Sequence, residues 1–417
     1  MGFKRLAVAV LLAVFGAGAL PPAAEAAEKV TLTMIAESRD SHLRWQQEMI
    51  EAFQAQHPHV EVELVSTAGS GLVDKMRTML AGGAPLDIGY MDPWLVVEWG
   101  KEGILENLQP YIERESLHFA AWPPAFFDLY RVDGGIYALP QDIQISGIFY
   151  NKNAYDAAGL AYPTPDWTYD NLFENSRRLT VAGPAGDAVQ RYGFRLPGGR
   201  NWVPLVWGFG GELVDNWAAP TRFSGNTAEV AAALQYMNDL VASGLVQDRS
   251  APPVIESFMQ GLVAMVFTNS IVLGHFHEIE DFAWDVAPLP HGPGGSTPFI
   301  NAIGWFMFST SQHKQEAWDL LRFFTTEEAL RRRVEIIGNV APSIAVTQDT
   351  WLPHYAAPEN RHLLLHNIDM ARSPWPISND LWRVIDEEGS AAIWGEKPVN
   401  SALDEMERRV NALLGVN

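Results

Sequence analysis

Residues Val30 to Met34 alternate apolar and polar side chains, the period-two pattern of a strand with one buried face. From Ser41 the period lengthens: Trp45, Met49 and Phe53 recur every four residues with Ile50 beside them, which predicts a helix with one apolar stripe. Val60 to Leu64 alternates again, Leu72, Met76, Met79 and Leu80 form a second helical stripe stopped by Gly82-Gly83, and Leu86 to Met91 reads as a buried strand. The order β-α-β-α-β within so short a stretch predicts a parallel sheet covered by helices, whose ligands sit beyond the carboxyl ends of the strands.

A second unit of similar character follows. Thr168 is placed to cap a helix carrying Leu172, Phe173 and Leu179, and Thr227 to cap another carrying Val230, Leu234, Met237 and Val241, closed by Gly244. A short helix around Glu256 precedes a strand from Leu262 to Phe267. Further helical stripes run over Ala317, Leu320, Leu321 and Phe324 and over Leu403, Met406, Val410 and Leu413, the last suited to dock as a terminal helix. The chain shows no internal repeat, low-complexity tract or long linker.

The amino end changes the picture of where the protein works. Lys4 and Arg5 precede an apolar run from Leu6 to Leu20, and Ala24-Glu25-Ala26 offers a small-x-small cleavage site, which predicts export with processing near Ala26. The run is broken by Gly16 and Gly18 and is shorter than a membrane span needs. The sequence has no cysteine, which excludes disulfides, thiolate metal sites and a thiol nucleophile, and removes the residue a bacterial lipid anchor would use. A chain of 417 residues, 47% of them apolar, is long enough for two lobes with cores of their own. Its formal charge of −21 argues against nucleic acid and anionic membrane surfaces as partners. Fifteen Trp and eleven Tyr exceed what such a core requires, and flat rings are also what a sugar-binding cleft uses.

Catalytic signatures are missing. There is no Gly-x-Ser-x-Gly elbow, no phosphate-cradling loop and no His-Glu-x-x-His, and Gly208-Phe-Gly210-Gly211 lacks the spacing of a dinucleotide turn. His275-Phe-His277-Glu278 could turn ligands to one side, but no partner cluster completes a metal site. No cofactor or metal is expected. A secreted glycosidase, which needs two facing carboxylates, stays open as an alternative.

A series of short motifs then points to a family. Pro85-Leu-Asp87-Ile, Gly103-Ile-Leu-Glu-Asn-Leu108, Gly134-Gly-Ile-Tyr-Ala-Leu-Pro140 with Ile148-Phe-Tyr-Asn151, Pro165-Asp-Trp-Thr168, Glu256 to Met265, Ala287-Pro-Leu-Pro290, Ala302-Ile-Gly-Trp305, Ala317 to Phe324 and Gly338-Asn-Val-Ala-Pro342 occur in one order. In that order, from Val30 to Val410, the chain resembles the family 1 extracellular solute-binding proteins of ABC importers. The resemblance implies a two-lobed periplasmic-binding-protein fold of class α/β, each lobe a mainly parallel sheet flanked by helices, hinged between lobes. After a signal peptide of residues 1–26, lobe one would comprise 27–140 plus 291–337 and lobe two 141–290 plus 338–417. It further implies a monomer that captures a sugar or polyol in the interlobe cleft and docks on the transmembrane subunits of a permease, free in the periplasm.

Binding a neutral sugar requires donors and acceptors that replace its hydration, and flat faces that match its C–H surfaces. Asp40 and Ser41 stand at a strand-to-helix turn and Asp92 and Trp94 at the end of the next strand, where a parallel sheet presents its ligand, although helix capping would equally account for the first pair. By resemblance the site adds Gln144 after the first crossing, Asn201 and Trp202 before the Gly210-Gly211 turn, Asn269 beyond the Leu262 to Phe267 strand, Gly304 and Trp305, and Arg372, Trp375 and Trp382 in the carboxyl-terminal stretch. Trp382 could instead belong to the core. An anionic ligand such as glycerol phosphate would need Arg39, Arg200 or Arg372 to converge on its charge.

Overall fold

A computed structural model of the protein describes residues 29–68, 71–115, 122–183, 189–354, 357–366, 368–374 and 377–416. The export segment and Trp375 lie outside the described residues. Among the described residues no helix is long and apolar enough to cross a membrane.

The first unit folds as its periodicity predicts: β1 (Val30–Glu37), α1 (Asp40–Gln56), β2 (Val60–Thr67), α2 (Leu72–Ala81), β3 (Ile88–Met91) and then α3 (Pro93–Lys101). Both β2 and β3 pair with β1 in parallel. Trp45, Met49, Ile50 and Phe53 form the buried stripe of α1.

The chain then enters β4 (Leu139–Asn151), thirteen residues buried along their whole length. Beyond it come α4 (Tyr169–Leu179), β5 (Val181–Ala182), β6 (Val189–Arg195), α5 (Val203–Gly208), α6 (Ala228–Ala242), α7 (Val254–Met259), β7 (Val263–Asn269) and β8 (Trp284–Ala287). Thr168 and Asn171 close a reciprocal capping box on α4, Thr227 caps α6, and Gly244 after α6 adopts the left-handed φ of 69°. Burying Val230, Leu234 and Met237 along α6 contributes about 1.5–3 kcal/mol each. Further elements include β9 (Ile300–Met307), α8 (Lys314–Phe324), α9 (Glu327–Ile337), α10 (Asn379–Ile393) and α11 (Val399–Leu413).

One sheet of nine strands runs through the molecule in the order β2-β1-β3-β9-β4-β7-β6-β5, with β8 also paired to β4. The pairs β1–β2, β1–β3 and β6–β7 are parallel, while the strands that join the two halves pair antiparallel. Strand β4 is the connector. From Leu139 to Ile145 it is bonded to β9, and from Ser146 onward to β7 and β8. Its change of partner between Ile145 and Ser146 lies a few residues beyond Pro140. Two more passages meet β4 at the same level. Ser146 N–H donates to the Phe299 carbonyl on the way from β8 to β9, and Ile143 N–H donates to the Val340 carbonyl after Gly338, whose φ is 85°.

Side-chain alternation along β4 divides the core. Phe149 packs with the first unit and the helices near Phe258 and Phe276, whereas Ile148 and Tyr150 pack with α4, α6, α10 and α11. The return passage also fits closely against α5: a Cβ on Gly294 would stand 2.3 Å from the Trp207 carbonyl, so the crossing turn needs glycine there.

Candidate interlobe cleft

The cleft is assembled from strand ends. Asn301 lies opposite Gln144 across the β9–β4 pair, and side chains directly opposite each other share a face of the sheet. Asn301 Nδ2 donates to Asp92 Oδ1 at 2.8 Å and to Gln144 Oε1 at 3.4 Å. Asp92 occupies the residue before α3 but makes no capping bond, because its carboxylate is turned to Asn301. Three separate elements thus place two amides and a carboxylate on one face of the connecting strands, at the carboxyl end of β3.

Lobe two faces this group with Arg200, which follows the end of β6 in Gly198-Gly199-Arg200. Arg200 is 4% exposed and donates to the carbonyls of Pro374 and Ile377 at 3.4 and 3.3 Å and to Asn379 Oδ1 at 2.7 Å. Its guanidinium lies 5.3 Å from the ring centre of Trp382. Burial brings its pKa down to about 10, opposed by the charges of Asp92 and Asp386. The Asp92 carboxyl is pushed up to about 6 by burial and, more weakly, by Asp142 and Glu37, while the bond from Asn301 and the charge of Arg200 pull it down. The Asp92 carboxylate and the Arg200 guanidinium thus act on each other as opposite charges.

Other residues singled out in the sequence fall in several surroundings. Asp40 is exposed in the first turn of α1, and half-buried Ser41 approaches His42 Nδ1 at 3.4 Å, so both stand at the end of β1. Trp94, half-buried in the first turn of α3, packs against the first core. Asn201 closes its own turn on the Gly198 carbonyl. Asn269, at the end of β7, accepts from the Ile271 N–H at 3.1 Å as a cap.

Burial and contacts place four more of these residues. Trp202 is a wall of lobe two: it is 2% exposed, donates to Asp386 at 3.2 Å, and occupies the space a side chain on Gly389 would need. Trp305 is fully buried between Tyr90 and Phe324, with its N–H given to Gln141, which makes it a core ring of lobe one. Gly304 serves packing, since a Cβ there would lie 2.8 Å from the Tyr130 ring. Arg372 pairs with Glu212 and covers the Trp207 ring at 4.5 Å, and it lines a cavity of about 390 Å³ that has Ala125, Asp128 and Leu129 on one side and Glu212 and Val214 on the other, with Ile300 between them.

Sequence reading missed Asn301 and weighed Arg200 only for an anionic ligand. A signal for Asn301 existed: it is the one amide side chain between Phe299 and Phe308 in an otherwise apolar strand. Among the described residues no group of three or more His, Cys, Asp or Glu side chains converges as a metal site. His277 instead packs near Trp284, and burial lowers its pKa to about 4.

Two halves joined by shared strands, with a polar cluster on one face of those strands, define a two-lobed solute-binding protein. Residues 39–330 match the family model described as bacterial extracellular solute-binding protein, and the chain belongs to that family. It is similar to a putative binding protein of Brucella abortus, 26% identical over 66% of this chain and 67% of the relative, and to the lactose-binding protein of Rhizobium radiobacter, 24% identical over 66% and 65%. Among solved structures it resembles an ABC substrate-binding protein of Listeria monocytogenes in complex with cycloalternan, with a TM-score of 0.83 at 22% identity over 94% of this chain and 100% of that one. Maltose-bound MalE3 of T. maritima gives 0.76 at 22% identity over 92% and 100%.

Proposed function

We propose that this chain is the substrate-binding component of an ABC importer, exported by its apolar leader, processed near Ala26 and free of a lipid anchor. It captures an uncharged sugar or polyol between its lobes and delivers it to the membrane permease. The observation that carries this reading is the cluster of Asp92, Asn301 and Gln144 on one face of the connecting strands, with the opposite charge of Arg200 acting on Asp92. Its acceptors and donors can each take a hydroxyl. Relatives whose names specify lactose and mannitol, and neighbours holding cycloalternan and maltose, support the ligand class.

The balance of charge favours a neutral ligand, because Arg200 is already opposed by Asp92 and Asp386 and Arg372 is spent on Glu212. The pair acting across the connecting strands is a carboxylate and a guanidinium, whereas glycoside hydrolysis uses two carboxylates. A solute that touches both lobes stabilises the closed form over the open one by its differential contacts, which is the whole of the mechanism required.

A thermal-shift screen over mono-, di- and trisaccharides, polyols and glycerol phosphate tests this. A ligand at about 100 times its Kd stabilises the fold by roughly 2.7 kcal/mol. A neutral carbohydrate should produce the shift and keep its affinity at high salt. A shift with glycerol phosphate alone, lost at high salt, would reject the neutral-sugar reading, and turnover of chromogenic glycosides abolished by one carboxylate substitution would reject the receptor.

Asp92 sets a pH dependence. Its folded pKa is raised above the ordinary value of 3.8, so its stabilising contribution to the unliganded fold is full below about pH 4 and is lost as pH rises through about 6. Ligand binding should run the other way, because a hydroxyl is held more strongly by the carboxylate than by the acid. Calorimetry should show Kd rising by up to about tenfold as pH falls from about 7 to about 5, and Asp92→Asn should flatten that slope.

A further inference from the structure

A second cavity, of about 300 Å³, lies within lobe two and is bounded by the β6–α5 loop, α6 and the end of α10. It exists because the loop residues facing it, Gly198 and Gly199, have no side chains to fill it, and because α10 presents the small Ser390. Trp202 and Trp394 give it two indole rings, and Ile393 adds an aliphatic surface. The aromatic cleft residue Trp382 does not line it. Two of its polar groups are Arg195 and Arg249.

The two guanidinium groups are held differently. Arg249 is paired with Glu396 and lies 5.6 Å from the Trp394 ring centre. Arg195 is 7% exposed, and its hydrogen bonds all leave from Nη1, to the carbonyls of Gln247 and Asp248 and to the Gln247 side chain. Its Nε and Nη2 remain for a guest, and burial lowers its pKa, opposed by the charge of Asp248. A buried guanidinium with donors to spare asks for acceptor oxygens, which sugar hydroxyls supply.

We infer that this cavity is a second carbohydrate site, with room for a monosaccharide ring, which would rest on Trp394, with Trp202 as part of the wall, while its hydroxyls accept from Arg195 and exchange with Ser390. A guest would also bear on the Leu196 to Gly199 loop, directly before Arg200, and so would stiffen the segment that presents Arg200 to the cleft.

Saturation-transfer NMR on the full chain with D-glucose, D-galactose and D-mannose tests the site. At sugar concentrations up to about 50 mM, suited to affinities near −4 kcal/mol, at least one sugar should receive transfer that survives Arg200→Ala in the cleft. That transfer should fall by at least about fivefold in Ser390→Phe, which fills the cavity, and in Arg195→Met, which removes the donors. Ser390→Phe should keep a melting curve close to wild type and Arg195→Met a lower but cooperative one, and the cleft ligand found by thermal shift should keep its affinity in both. Transfer lost in Arg200→Ala and retained in Ser390→Phe and Arg195→Met would overturn the second site, as would the absence of any transfer from the three sugars. Neither result bears on the interlobe cleft.

Discussion

Arg200→Ala should weaken the cleft ligand about a hundredfold, close to 3 kcal/mol, which combines a lost charged hydrogen bond with a lost stacking partner for Trp382. The side chain holds two carbonyls and an amide of the 374–379 stretch in addition to facing Asp92, so its removal also loosens the start of α10. Arg200→Lys separates these effects. It keeps the positive charge opposite Asp92 but cannot serve Pro374, Ile377 and Asn379 together, and it should recover only part of the affinity. Calorimetry with the ligand found by thermal shift reads both variants. A Kd for Arg200→Ala within about threefold of the parent would remove Arg200 from the cleft.

The second large effect concerns the hinge. Asp142, on β4 just before the change of partner, accepts from Arg333 at 2.7 Å and from Asn339 at 2.9 Å, and the ion pair is 1% and 2% exposed. Arg333 belongs to α9 and Asn339 to the third passage, so one buried carboxylate ties lobe one to two of the crossings. The Arg333 guanidinium also lies 5.0 Å from the Trp45 ring centre. Arg333→Ala would leave Asp142 buried without its cation, at a cost of about 3–5 kcal/mol in unfolding free energy. Urea denaturation measures it. The double variant Asp142→Asn, Arg333→Met should recover most of that loss, because replacing both charges avoids the unpaired one. A single-variant cost below about 1 kcal/mol would mean that water compensates Asp142 as well as Arg333 does.

These two sites divide the work of the protein. Arg200 and Asp92 act where a captured solute would add contacts, whereas Asp142 and Arg333 sit in the strand that any lobe movement must pass through. The firm pairing at Ile143 and Ser146 keeps the three passages in register, which suits a motion about a narrow band of backbone more than a loosening of either lobe.

Much of the architecture was legible in the residues. The periods of Val30–Met34, Trp45–Phe53 and Leu72–Leu80, the caps at Thr168 and Thr227, and the glycine after α6 are local properties, set by neighbours a few positions away. Asp92 and Gln144, singled out at strand ends, fall on one face with Asn301. The aromatic rings were not. Trp202, Trp305 and Trp382 look alike in sequence, yet Trp305 is closed in by Tyr90 and Phe324, Trp202 by Gly389 and Asp386, and Trp382 is the one covered by Arg200.

By itself, then, the sequence determined the element order, the family pattern, and a chain without thiol chemistry. The tertiary structure alone decided that Asn301 bonds Asp92, that the charge of Arg200 acts on it, and that Arg372 pairs with Glu212 in a cavity beside Ile300. The physical reason is the difference in range. Periodicity fixes which residues share a face of one strand, but which face becomes the cleft depends on β4 exchanging β9 for β7 and β8, and those partners come from distant parts of the chain.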